Sequence, residues 1–403
     1  MTIFTLLTVT YIYWKTLFTY FAQDDFYLLL VSKARNIIEV FQFFLPRTDA
    51  VWYRPLSSHV FFFVSYSFFG LQPFFYHIIV FGTHLTACWL LICFVSDQAH
   101  TQKVGLLVGF IYGIYQIHTI SLSWLSSYSF VLGPLWLILL TKFYFEKKYF
   151  KSNIIFLLGL LTTEVFIIYI PFLFCLELIF EKPIYIGRII PFMLTGITVL
   201  LMRFVFFPTT ISNYQYGFSL NLSILSNVKF YLFRLIGIPL AVEQMSWMEK
   251  IISLTSTSLI ICICMYGGLV NFKNSSFRNL NKFVVVCLML SIFGVLPFLP
   301  LTNHVAPYYL TFTLVGFAPL MALCLIKAQS RLPRLGRSIY WGLIIGILIL
   351  TNIIGIEYTM RTHWIFRRAK MAQVLISQKN LHHPVGSEEY FTLGADAAEK
   401  FLR

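Results

Sequence analysis

Apolar runs alternate with short polar stretches along nearly the whole chain. About 17 to 25 apolar residues, rising 1.5 Å each, cross the hydrocarbon core of a bilayer, and by that measure the sequence predicts about eleven helical spans. They lie near residues 3–21, 74–95, 104–122, 128–145, 152–163, 165–180, 188–207, 252–270, 283–299, 308–327 and 339–357. The run at 152–163 is short for the role. The first run lacks a basic leader and a small-residue cleavage site, so it is expected to be a retained span.

Two stretches break the pattern. Over residues 26–45, Lys33, Arg35, Asn36, Glu39 and Gln42 fall on one helical side and Phe26, Leu30, Ile37, Phe41 and Phe44 on the other. That arrangement predicts an amphipathic helix lying on the membrane surface. Residues 222–242 carry Lys229 and Arg234 among apolar neighbours and are expected to be interfacial or re-entrant. The expected architecture is an all-α polytopic membrane protein with amphipathic juxtamembrane helices. One transmembrane unit covers residues 1–357, with wet regions at 22–73 and 208–250, and a short polar tail over 358–403 has room for one or two small helices.

Composition agrees with this class. Hydrophobic residues make up 58% and charged residues 11%, whereas a soluble domain carries about a quarter charged residues. The net charge of +14 raises nucleic acid as a partner, but the cations sit in short clusters between apolar runs rather than on one continuous surface, so that partner is excluded. Lys142, Lys147, Lys148 and Lys151 form one cluster, Lys182 and Arg188 a second, Lys273, Arg278 and Lys282 a third, and Lys327, Arg331, Arg334 and Arg337 a fourth. Placing the N-terminus in the cytoplasm puts all four on the cytoplasmic side, as the positive-inside bias requires. Arg361, Arg367, Arg368 and Lys370 then fall outside, against that bias. The seven cysteines lie in apolar segments without paired spacing, which argues for buried hydrophobes rather than disulfides or zinc ligands.

Charge at membrane depth costs about 3 kcal/mol or more, so acidic residues at the ends of spans are candidates for chemistry. Asp24 and Asp25 follow the first span. Adjacent, partly desolvated carboxylates suit a general base, and equally the N-cap of the next helix. Arg54, in Tyr53-Arg54-Pro55-Leu56, can grip a phosphate bidentately or anchor in the headgroup layer. Glu164 is placed to orient a site or to mark a turn between spans, and Asn303-His304 leads to Tyr308-Tyr309 in another loop. In the expected topology all four groups open on the extracytoplasmic face. His304, Tyr308 and Tyr309 are further donor-phosphate candidates, and Arg203 and Arg234 are secondary ones. His77, His84, His118 and Trp124 are supporting candidates, with interhelical packing as the plain alternative for the histidines. Nothing in the sequence requires a cofactor; a divalent metal is possible, with Asp24, Asp25 or Glu164 as its ligands.

Read in order, these elements resemble the membrane half of the transmembrane O-mannosyltransferases that carry tetratricopeptide repeats, and their bacterial relatives, within the C-type glycosyltransferase (GT-C) fold. The resemblance rests on Asp24-Asp25-Phe26, Arg54-Pro55-Leu56, Gly70-Leu71-Gln72-Pro73, Tyr76-His77 with His84, His118 with Trp124-Leu125-Ser126-Ser127, and Leu160-Leu161-Thr162-Thr163-Glu164 with Pro171. The chain departs from that family where Thr163 replaces a lysine and where Ala306-Pro307-Tyr308-Tyr309 stands for a Glu-Arg-Tyr segment. The repeats are absent, so acceptor choice does not carry over. The resemblance implies a multi-pass glycosyltransferase of a plasma membrane, bacterial in type, with its active site outside. Its donor is a polyprenyl-phosphate sugar, its displacement is inverting, and Asp24 or Asp25 is the general base. A transporter or flippase for a lipid-linked or anionic substrate is the alternative, and a catalytically inert scaffold a third reading. Acidic residues at span ends, all on one face and without symmetry between halves, favour the enzyme.

Overall fold

The computed structural model describes residues 2–45, 53–180, 185–206, 221–239, 242–269, 278–301, 304–330 and 332–377. Of the cations assigned to the cytoplasmic side, Lys182, Lys273 and Arg331 lie outside these residues. So do Asn303, residues 46–52 of the first wet region, 208–220 of the second, and the tail from 378.

Among the described residues the regular structure is helical throughout. The chain opens with α1 (Thr2–Tyr13), which runs into a 3-10 turn at Trp14–Phe18. Next come α2 (Asp24–Val31), α3 (Ile37–Gln42), a π-helical turn at Pro55–Val60 and α4 (Phe61–Phe69). α5 (Pro73–Ala99) and α6 (Gln102–Ile114) pack closely, and the short α7 (His118–Ser123) precedes α8 (Ser129–Phe145) and α9 (Tyr149–Thr162). α10 (Tyr169–Phe180), α11 (Ile190–Phe206), α12 (Ser223–Leu235) and α13 (Trp247–Leu269) follow. The chain continues through α14 (Arg278–Val295), α15 (Leu310–Gln329), α16 (Arg334–Thr362) and α17 (Trp364–Ser377).

Five of the described segments are long and apolar enough to cross a membrane: Pro73–Ala99, Leu125–Phe145, Trp247–Gly268, Pro307–Gln329 and Leu335–Thr362. Gln102–Ile114, Tyr149–Thr162, Ile190–Met202 and Lys282–Phe298 are apolar but shorter. Burial separates the centre from the rim: 78% of the most apolar stretch of Pro307–Gln329 is buried and only 28% of that of Trp247–Gly268, so α15 is a core helix and α13 keeps most of its side chains at the surface. The core contacts are close because small residues allow them. A Cβ at Gly316 of α15 would sit 2.2 Å from the Cys287 carbonyl oxygen of α14, and one at Gly294 of α14 would sit 2.5 Å from the Thr313 nitrogen of α15.

Several expected elements differ in detail, among them the run expected over 3–21, which is α-helical to Tyr13 and ends in a 3-10 turn at Trp14–Phe18. The amphipathic helix expected over 26–45 is divided in two, because Asn36 starts a new helix: its Oδ1 accepts from the Glu39 backbone N–H at 2.9 Å, while Glu39 Oε2 accepts from the Arg35 N–H at 2.7 Å. This is a reciprocal capping arrangement. The run expected over 104–122 stops at Ile114. There Tyr13 Oη donates to the Tyr115 carbonyl at 2.5 Å, and Gln116 N–H donates to Asn352 Oδ1 at 2.8 Å, so partners distant in sequence take over the backbone groups that a continuous helix would use. The stretch 222–242 forms the 13-residue α12, which closes at Gly237 in the left-handed region, φ +99°.

α8, α9 and α14 fix the two ends of the bundle. α8 begins beside Trp124–Ser127 and ends at Phe145, α9 runs back from Tyr149 to Thr162, and α14 runs the same way toward Phe298. Asp24, Arg54, Glu164 and His304 are gathered where α8 starts and α9 and α14 finish.

Candidate functional site

Gln23, at φ 46°, turns the chain sharply into α2 and sends its two aspartates to different environments. Asp25 is buried. Its Oδ2 accepts from the Ala22 N–H at 2.9 Å, and its Oδ1 accepts from Ser126 N–H at 2.7 Å and Ser126 Oγ at 2.5 Å. Both oxygens are therefore committed to holding the start of α2 against the turn before α8. Burial pushes Asp25 up to about 7, against the pull of the Ser126 hydroxyl and the two backbone donors. Asp24 is half-buried; burial raises it to about 6, and the Arg368 cation nearby draws it down. The sequence left a base and a cap as alternatives for the pair; the N-cap of α2 is Gln23, without a side-chain bond, so neither aspartate caps the helix, and the two differ in burial and in bonding.

Arg54 precedes Pro55, which opens the π-helical turn, and Tyr53 Oη anchors the approach by donating to the Phe44 carbonyl at 3.1 Å. Glu164 lies just past the end of α9, where Thr163 is extended and a 3-10 turn begins. The two meet as a fork: Arg54 Nε donates to Glu164 Oε2 at 2.9 Å and Nη2 to Oε1 at 2.8 Å. Such bidentate pairing fixes the plane of a guanidinium as well as its position. Ser57 Oγ, donating to the Thr162 carbonyl at 2.7 Å, seals the same seam.

His304 lies within the field of Arg54, which, after burial, lowers its proton affinity. Its Nδ1 is hydrogen-bonded to Tyr309 Oη at 2.6 Å. The Tyr309 ring stacks on Phe298 at 4.1 Å, and Asn227 of α12 steadies the loop by donating to the Leu299 and Leu301 carbonyls at 2.8 and 3.0 Å. Tyr308 packs at 6.2 Å on Trp124, which leads back to Ser126 and Asp25.

The residue that sequence reasoning missed is Arg368. α17 lays Trp364 against Trp124 with ring centroids 5.5 Å apart, and the Arg368 guanidinium rests 4.8 Å above Trp364. From there Arg368 donates to Gln23 Oε1 and faces Asp24. Ile365, Ala369 and Ala372 bury the inner side of the helix. Their spacing of four and three residues was the available signal, inside a segment read as a polar tail with room for one or two small helices. Arg361, also unfavourably placed by the positive-inside count, pairs with Glu249.

The remaining candidates lie elsewhere. His77 bridges the Thr19 and Leu122 carbonyls at 2.9 and 3.0 Å, a framework contact. His84 and His118 are buried together, 4.4 Å between ring centroids, beside Tyr112. Arg234 donates through Nη1 to the carbonyls of Ile238 and Pro239, closing α12. The Arg203 side chain lies outside the described residues. Among the described residues no three His, Cys, Asp or Glu side chains converge as metal ligands.

No family model matches the chain, and no curated protein matches it significantly.

Proposed function

We propose that the protein is a membrane glycosyltransferase of the GT-C type, with about eleven spans, that moves a sugar from a polyprenyl-phosphate donor to a hydroxyl on the extracytoplasmic side. The observation that carries this reading is a half-buried carboxylate, Asp24, with a cation, Arg368, beside it, at the end of the bundle where Arg54 is held flat by Glu164. Asp24 takes the proton of the acceptor hydroxyl, and that oxygen attacks the anomeric carbon from the face opposite the phosphate. The bond from anomeric carbon to phosphate oxygen breaks with inversion, and the polyprenyl phosphate leaves with both electrons. Arg368 and Arg54 are the cations for the leaving phosphate, positioned before the charge develops. Thr163 stands where the resembled family has a lysine, so in this reading the second cation is Arg368, from α17. Asp25, both oxygens occupied, holds the site in shape.

The discontinuity between α6 and α7 is the observation favouring a flippase, since transporters bind substrate at interrupted helices. One experiment separates the two readings. Purified protein in liposomes is given a panel of radiolabelled polyprenyl-phosphate sugars, and both transfer to added acceptors and movement of donor between leaflets are followed. Transfer that drops by about 10² to 10⁴-fold in Asp24→Asn, with unchanged yield of folded protein, is expected of a lost general base. Movement without transfer, or an Asp24→Asn enzyme as fast as the wild type, refutes the glycosyltransferase.

A further inference from the structure

The opposite end of the bundle holds a cavity of about 330 Å³. It opens between the last turns of α5, α8 and α10 and the first turns of α9 and α14. α5 has 27 residues, so at 1.5 Å per residue about 40 Å separates this cavity from the start of α5, next to the candidate site. Two of the three non-glycine residues with positive φ among the described residues shape its mouth: His100, at 50°, ends α5, and Lys147, at 57°, links α8 to α9. Left-handed backbone at such residues is strained and persists where the surroundings enforce it.

The lining is graded. Phe145 and Phe283 belong to the apolar part, and Lys282 Nζ projects 5.7 Å from the Phe180 ring. Glu177, 1% exposed, is already neutralised, accepting from Tyr144 Oη at 2.6 Å and facing Arg188 Nη1 at 3.4 Å. Two cations, Lys147 and Lys282, and one carboxylate, Asp97, remain around the opening, all exposed. None of the three forms an ion pair among the described residues.

We infer that this cavity holds the phosphoryl-ethanolamine headgroup of a phospholipid. The phosphate sits between Lys147 and Lys282, the primary ammonium at Asp97, and the first carbons below the headgroup lie against the phenylalanines. The charge count distinguishes this ligand from a plain anion, which would leave Asp97 facing a negative group. It also distinguishes it from a choline headgroup, whose quaternary nitrogen has no N–H to give Asp97. The position, at the end of apolar helices, is where a bilayer presents headgroups, and a wall that sets Leu176, Phe180 and Phe283 beside exposed cations fits an amphiphile better than a soluble metabolite. The inference stands apart from the proposed glycosyl transfer.

The full chain, reconstituted in nanodiscs of phosphatidylethanolamine, phosphatidylglycerol and phosphatidylcholine in equal parts, is released into detergent and weighed by native mass spectrometry. One phosphatidylethanolamine per chain is expected to be retained in preference to the other two. The double variant Lys147→Ala, Lys282→Ala should lose retention at least tenfold, and Asp97→Asn should retain a lipid while losing the preference over phosphatidylglycerol. Melting temperatures show whether each variant is folded; if the double variant is not, Lys147→Gln and Lys282→Gln are read singly. Equal retention of all three lipids, or variants that hold phosphatidylethanolamine as the wild type does, overturns the inference. Saturation by soluble phosphoethanolamine without lipid retention assigns the cavity to a free metabolite and overturns the lipid.

Discussion

At each end of the bundle a glutamate meets an arginine, and the two pairs are made differently. Arg54 and Glu164 lie in loops, engage through two short parallel hydrogen bonds, and remain 16% and 36% exposed at their side chains. Glu177 is sealed inside α10, takes its short bond from Tyr144, and meets Arg188 through one nitrogen at 3.4 Å. Arg188 is held instead by the rings of Tyr149 and Tyr185, at 5.0 and 4.5 Å. The same two residue types thus make a device for aiming a guanidinium at one end and a neutral wall for a cavity at the other. Geometry and burial decide which, and a substitution that respects charge but not shape tells them apart.

The largest effect expected is on the framework that ties α2 to the turn before α8. Asp25→Ala removes the acceptor of three hydrogen bonds from a buried position and should destabilise the folded protein by about 3 kcal/mol, read as a lower melting temperature in detergent. An unchanged melting temperature would show that Asp25 does not tie α2 to α8. The matched pair comes next. Arg54→Lys keeps the charge but loses the fork, and misplacing a group by about 1 Å costs on the order of 10²-fold in turnover. Arg188→Lys should leave sugar transfer within about twofold, since no fork is lost there. Equal losses in the two would erase the distinction drawn here. The smallest effect is a displacement of the pH profile. Asp24 must be ionised to accept a proton, so transfer is expected to rise with pH through about 6 and level off above it. Arg368→Gln takes away the cation that favours the ionised form, so the midpoint should move to higher pH; an unmoved midpoint would separate Arg368 from Asp24.

The expected helices were legible where a single run of side chains decides the outcome. α5, α8, α13, α15 and α16 follow from the length and apolarity of their own segments. The break after Val31 was written locally too, in Asn36 and Glu39, but those residues were read as a polar face rather than as a cap. The stop at Ile114 was not legible, because the groups that satisfy its backbone come from Tyr13 and Asn352. At the site, Asp24, Asp25, Arg54 and Glu164 stood out because charge is rare in this chain. Their pairings did not: Glu164 lies 110 residues from Arg54 and Ser126 101 residues from Asp25. Arg368 was set aside by the positive-inside count, which treats every cation as solvated. A guanidinium stacked on Trp364 and bonded to Gln23 escapes that rule.

Because Arg368 follows the five long apolar helices found among the described residues, it leaves the ribosome after those five. A nascent chain can insert and assemble its core while Asp24 still lacks its cation. The Asp24–Arg368 arrangement is completed only when α17 docks, so a chain cut directly behind Thr362 would keep the long helices and leave Asp24 without that cation.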